Sequence, residues 1–277
     1  MIEWLVLGFV LVVGSITDLR SREVSDWLCY AGIASGVGIA LVSSVYAFSF
    51  ISLLKSLLGL LVFGVIGWLF YFSNQWASGD AFVLAGVGAF FGFELSVDSL
   101  WLGFVFDLFV VASFYSVFWL VWLAFSNWSR FIVQFPKSVA FFSWTKGSLF
   151  VLIFILMFSL FFPSWYGLVL AVLVFLLFYL LPFAHAVQQC CFIKRISPSG
   201  LTLGDWLGES IKVGGKVIVS KEKRGLGAQD IELIMRLHSQ GRLSTVMLKT
   251  GIPFVPAFLL AFLLVLWKGN VLLFFLA

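Results

Sequence analysis

The chain has 277 residues, of which 62% are hydrophobic, 19% aromatic and 11% charged, with a mean hydropathy of +1.12. A soluble domain carries about a quarter charged residues, so soluble classes are excluded and a multi-spanning membrane protein is indicated. The net charge of +4 and the pI near 9.0 then read as excess Lys and Arg in cytoplasmic loops, not as a nucleic-acid surface.

One spanning helix takes about 20 mostly apolar residues. Eight apolar segments, bounded by charge, Pro and Gly clusters, lie at 2–18, 27–48, 51–73, 80–93, 99–125, 148–162, 165–185 and 252–274. The first has no basic stretch ahead of it and no small-x-small cleavage pattern before Asp18, so it reads as a span and not a signal sequence. With the N-terminus external, the loops at 19–26, 74–79, 126–147 and 186–251 hold 15 of the 17 basic residues, and only Lys55 and Lys268 lie opposite. The positive-inside rule makes the basic side cytoplasmic.

The expectation is therefore an all-α polytopic protein of the cytoplasmic membrane, with a small α+β cytoplasmic cap. Its parts are a membrane catalytic core over 1–125, a cytoplasmic loop plus an extra hydrophobic hairpin over 126–185, a cytoplasmic segment over 186–250 and a final span over 251–277. Within the cytoplasmic segment, Gly214-Gly215 reads as a turn and Lys221 to Arg224 as a solvated loop, while Lys216 to Val219 suits a strand and Gln229 to Leu237 a helix. Cys29, Cys190 and Cys191 are too few and wrongly spaced for a zinc site or a disulfide framework. No metal or cofactor is expected.

A charge inside a bilayer costs several kcal/mol by most estimates, so each must be paired, neutral or functional. Three aspartates fall in or beside apolar segments. Asp18 ends the first span, roughly one turn inside the basic face. Asp80, in Ala77-Ser78-Gly79-Asp80, opens the short Gly-rich fourth segment from that same face. Asp107 enters from the opposite side, about 13 Å deep at helical rise, and reads as a buried structural residue.

Asp18 and Asp80 thus share one depth on two helices. Two carboxylates facing each other across a water molecule can divide acid and base roles in peptide hydrolysis. Gly79, just before the second, allows close backbone approach. Other chemistries are thin: the only histidines are His185 and His238, no HExxH or phosphate loop occurs, and Ser78 with His185 makes a poor serine-protease pair.

Three blocks of residues resemble the archaeal preflagellin and type IV prepilin peptidases, membrane aspartic proteases of the GxGD group. The first is Thr17-Asp18-Leu19-Arg20-Ser21-Arg22-Glu23-Val24-Ser25-Asp26-Trp27, similar to the family's Asp-x-Arg-x-Arg-x-Ile-x-Asp/Asn segment after the first span. The second is Ser78-Gly79-Asp80 with the Gly-rich helix after it. The third is Gly251-Ile252-Pro253-Phe254-Val255-Pro256-Ala257-Phe258, resembling the proline-containing entry to the family's last span. The first glycine of GxGD is Ala77 here, which keeps close packing but disfavours positive φ.

The resemblance implies removal of a short basic leader from membrane-inserted archaellin-like or pilin-like precursors, with Asp18 and Asp80 catalytic and no nucleic acid involved. It gives Pro253 and Pro256 a part in the substrate groove, where their plain reading is helix entry. Glu23 and Asp26 are the acids nearest the expected cut, suited to a basic leader; pairing with Arg20 or Arg22 is the alternative. The competing functions are a presenilin-like intramembrane protease and a non-catalytic scaffold or proton-coupled transporter using Asp18, Asp80 and Asp107.

Overall fold

The computed structural model describes residues 2–73, 75–161, 165–213, 216–220 and 225–271. In chain order its helices and strands are α1 (Ile2–Ser21), α2 (Asp26–Tyr46), α3 (Ile51–Phe72), α4 (Ser78–Phe91), α5 (Leu100–Ser126), α6 (Trp128–Phe141), α7 (Thr145–Phe161), α8 (Trp165–Cys191), β1 (Ile193–Ile196), β2 (Trp206–Leu207), β3 (Ile211–Val213), β4 (Lys216–Val219), α9 (Ala228–Ser239), β5 (Val246–Lys249) and α10 (Val255–Lys268). Among the described residues each of the eight apolar segments overlaps a helix. Among the described residues five stretches are long and apolar enough to cross a membrane: α1, α2, α3, α5 and Val172–Cys191 of α8; α4 and α10 are shorter apolar helices.

The chain forms two compact units, one from the residues up to Val117 together with those from Gly251 onward, the other from Phe118–Thr250. In the first, α4 is the inner helix, packed against α1, α2, α3 and α10. Every residue from Val83 to Ala89 is buried. A helix apolar all round is a buried helix, which accounts for its 14 residues better than a lipid-facing span would. Its glycines make the close approach to α3: a Cβ on Gly59 would strike the Gly88 carbonyl oxygen, and one on Gly88 the Gly59 oxygen and Phe63. Gly92, at φ +67°, ends the helix. Around this pair Phe63, Phe104, Phe258 and Phe262 form the fully buried aromatic centre, joined by Leu7, Leu11 and Val87.

In the second unit, 126–147, read from sequence as a loop, contains α6. Its buried positions Phe131 and Ser138 are seven apart, on one face, and α6 packs on α8. Phe131 meets Phe183 edge-on at 5.3 Å between ring centres, and His185 Nδ1 lies 3.0 Å from Ser138 Oγ. Charged and polar residues (Arg130, Gln134, Lys137) interrupt the apolar run, so hydropathy alone conceals the helix.

After α8 the chain enters an antiparallel sheet of order β1-β5-β2 and a separate hairpin of β3 and β4. Leu207, Ile211, Val219, Leu226, Ile234, Val246 and Leu248 form its core with α9. The expected strand at Lys216 to Val219 and helix at Gln229 to Leu237 are present. The expected turn at Gly214-Gly215 and loop at Lys221 to Arg224 lie outside the described residues.

Candidate active site

Helices α1 and α4 bring Asp18 and Asp80 to the same end of the first unit. Asp18 lies in the last turn of α1 and Asp80 is the third residue of α4; both are buried, at 4% and 8% exposure. The charge on Asp18 acts directly on Asp80.

Each carboxylate is tied to a helix start. Asp18 Oδ2 accepts a hydrogen bond from the Val255 N–H at 2.9 Å, with Phe254 N–H as a further donor. The first residues of α10 have no intrahelical acceptor for their N–H groups, so Asp18 caps a helix that begins 237 residues later in the chain. Asp80 Oδ2 accepts from the Ala77 N–H at 3.2 Å and closes the first turn of its own helix. Each acid faces the favourable positive end of one helix, α10 for Asp18 and α4 for Asp80, although Asp18 also lies in the last turn of α1, whose dipole opposes it; backbone donors hold their rotamers.

Ala77, which replaces the motif glycine, has φ −74° and ψ 161°. That is ordinary extended backbone, open to any L residue, and the Ala77 side chain is exposed. The position does not use the positive φ that alanine disfavours. Gly79 is the tighter point, since a Cβ there would stand 3.3 Å from Val24 Cβ.

The remaining expected site residues divide by environment. Pro253 and Pro256 are buried at the start of α10, where the missing N–H of Pro256 in the first turn costs nothing. Glu23 and Asp26 are exposed, with Asp26 opening α2. Arg22, expected as a partner for nearby acids, donates through Nη1 to the Gly251 carbonyl at 2.7 Å, and its charge also acts on Asp18. It sits at φ +60°, a conformation costly for a residue with a side chain. Burial pushes its guanidinium pKa down, and the Asp18 charge works against that shift.

Two neighbours escaped the sequence reading. Cys29 is buried on α2, its Sγ 3.8 Å from the Gly79 carbonyl, and the charge of Asp80 reaches it. Its position three residues after Asp26, on the same helix face, was the available signal. Trp76 stacks on Phe70 at 4.5 Å and meets Phe254 at 5.1 Å and Phe258 at 5.4 Å, walling the site with rings beside Ala77. Asp107 is not drawn in. It is 1% exposed on α5, between Phe104 and Leu108 of the apolar core, and its Oδ2 has no hydrogen-bond partner among the described residues. His185 is committed to Ser138 and stacks on Phe141 at 5.2 Å.

Two buried acids beside a tight glycine and aromatic rings, at one end of an apolar helical unit, have the chemistry for acid–base hydrolysis. Residues 5–121 match the type IV leader peptidase family. A preflagellin peptidase of Methanococcus maripaludis is 30% identical over 89 residues, which cover 32% of this chain and 38% of the relative. Through residues 5–121, which carry both aspartates, the chain is similar to the type IV leader peptidase family.

Proposed function

We propose that the protein is an aspartic endopeptidase of the cytoplasmic membrane that removes short basic leaders from archaellin-like or pilin-like precursors. The observation that carries this reading is that Asp18 and Asp80, both buried, stand at one end of the first unit with the charge of Asp18 acting on Asp80, inside the family-matched segment. One carboxylate takes a proton from the attacking water while the other gives a proton to the scissile peptide; the roles then reverse as the tetrahedral intermediate collapses. Backbone donors on each acid hold them in place through both steps.

In this reading the first unit is the catalytic core, with the aspartate end facing the cytoplasm and the N-terminus outside, as the distribution of basic residues favours. The precursor's hydrophobic segment stays in the bilayer and its leader reaches the aspartates from the boundary. Glu23 and Asp26, exposed one to two turns beyond Asp18, meet the leader's basic residues. The α10 entry with Pro253 and Pro256 lines the groove.

The experiment is leader release from pilin-like and archaellin-like precursors by the full chain in lipid vesicles, read as a shift in precursor mass. Wild type is expected to cleave at one site near the precursor's hydrophobic segment, and Asp18→Asn and Asp80→Asn to be inserted yet inactive. Normal cleavage by either variant would overturn the dyad.

A further inference from the structure

Among the described residues, one face of the sheet that follows α8 joins no core cluster. Register places Ile193, Lys249 and Trp206 in one row across β1, β5 and β2, and Arg195 beside Met247 in the next row. Side chains alternate between faces along a strand, so these five residues share a face, opposite to the one on which Leu207, Val246 and Leu248 enter the cap's core. Arg195 and Lys249 are exposed; Ile193, Trp206 and Met247 are half-buried. Gly208, two residues after Trp206 and so on the same face, donates its N–H to the Met247 carbonyl at 2.7 Å, so the third strand adds no side chain over Met247. Among the described residues neither Arg195 nor Lys249 forms an ion pair.

The row with Lys249 and Trp206 lies nearest to α8. Strand β1 starts two residues after α8 ends at Cys191. Thr250 closes the gap, its N–H and hydroxyl both donating to the Phe192 carbonyl, at 2.8 and 3.0 Å. A candidate membrane span therefore runs almost without a linker into a face bearing a tryptophan, two cations and two apolar side chains. Tryptophan is enriched at membrane–water interfaces, and a lysine lays its stem on apolar surface while its ammonium stays in the polar layer. The segment 186–250 also carries ten basic residues against five acidic ones, which complements an anionic leaflet.

We infer that this face is a docking surface for anionic phospholipid headgroups of the leaflet from which α8 emerges, holding the cap flat against the membrane. The inference needs α8 to cross the bilayer and is independent of the peptidase reading. Each juxtamembrane cation shifts such docking by about five-fold.

The test replaces Met247 with the photo-crosslinking residue benzoylphenylalanine in the full chain, placed in lipid nanodiscs of pure phosphatidylcholine or of phosphatidylcholine mixed with phosphatidylglycerol, which gives the leaflet a negative surface potential. Mass spectrometry then reads the adducts. The expected result is phosphatidylglycerol adducts in the mixed discs, several-fold more abundant than lipid adducts in the neutral discs and reduced by high salt. Arg195→Gln with Lys249→Gln should lower the yield about 25-fold, two steps of five-fold, and Arg195→Lys with Lys249→Arg should restore it. Equal yields in both lipids, yields untouched by the Gln pair, or adducts to protein alone would overturn the proposal.

Discussion

Asp18 and Asp107 are both aspartates buried on long apolar helices, at 4% and 1% exposure, and their surroundings separate them. Asp18 meets the N–H groups that begin α10, lies beside the positive charge of Arg22 and shares its end of the unit with Asp80. Asp107 stands in the apolar core with an Oδ2 that has no partner among the described residues. Burial of a carboxylate is therefore not what makes a site. Donors arriving from a distant part of the chain, and a second acid at the same depth, are what distinguish one from the other.

The comparison breaks most sharply if the acids are exchanged in importance. Asp18→Asn and Asp80→Asn are each expected to lower leader cleavage by at least 100-fold, the lower end of what loss of an acid or base costs, while the protein still inserts. The next largest effect concerns the frame and not the acids. Gly59→Ala puts a methyl group against the Gly88 carbonyl and should destabilise the first unit by about 1–3 kcal/mol, seen as a lower melting temperature in detergent.

A smaller effect is expected beyond the buried acids. Glu23→Gln with Asp26→Asn should raise KM for a basic leader by about five-fold, with the penalty shrinking in high salt. Equal losses for basic and neutral leaders would assign these residues to structure. Asp107→Asn should leave cleavage within about three-fold of wild type, and Asp107→Leu should melt no lower, because a buried polar atom without a partner loses little when an apolar group replaces it. The least effect is expected at Ala77, already at negative φ and exposed: Ala77→Gly should change kcat/KM by less than about two-fold, the difference being backbone freedom alone.

The helices were legible because eight runs of apolar residues exceed what a turn or loop tolerates, and Asp18 and Asp80 stood out because charge is rare in such runs. Helix α6 was not legible, since Arg130, Gln134 and Lys137 share its 14 residues with the apolar face that rests on α8. Nor was the bond from Val255 to Asp18, or the reach of Arg22 to Gly251, because no local pattern encodes a contact across more than 220 residues. The backbone of Ala77 was a matter of conformation: the residue type restricted positive φ without saying whether the site needs it, and φ −74° answers that. Cys29 and Trp76 were hidden for a simpler reason, being apolar residues among many until the fold set them beside Gly79 and Phe254.

The hydrogen bond between Asp18 and the start of α10 also sets a schedule for biosynthesis. The first helices leave the ribosome early, but the N–H groups that hold Asp18 belong to residues 254 and 255. At roughly 5–20 residues per second, those residues follow Asp18 by tens of seconds. Until then the carboxylate lacks its anchor, so a nascent chain cannot present the finished pair of acids to other newly inserted proteins. Competence therefore waits on synthesis of residues 254 and 255, which makes α10 a timer on the proposed activity as well as a part of the bundle.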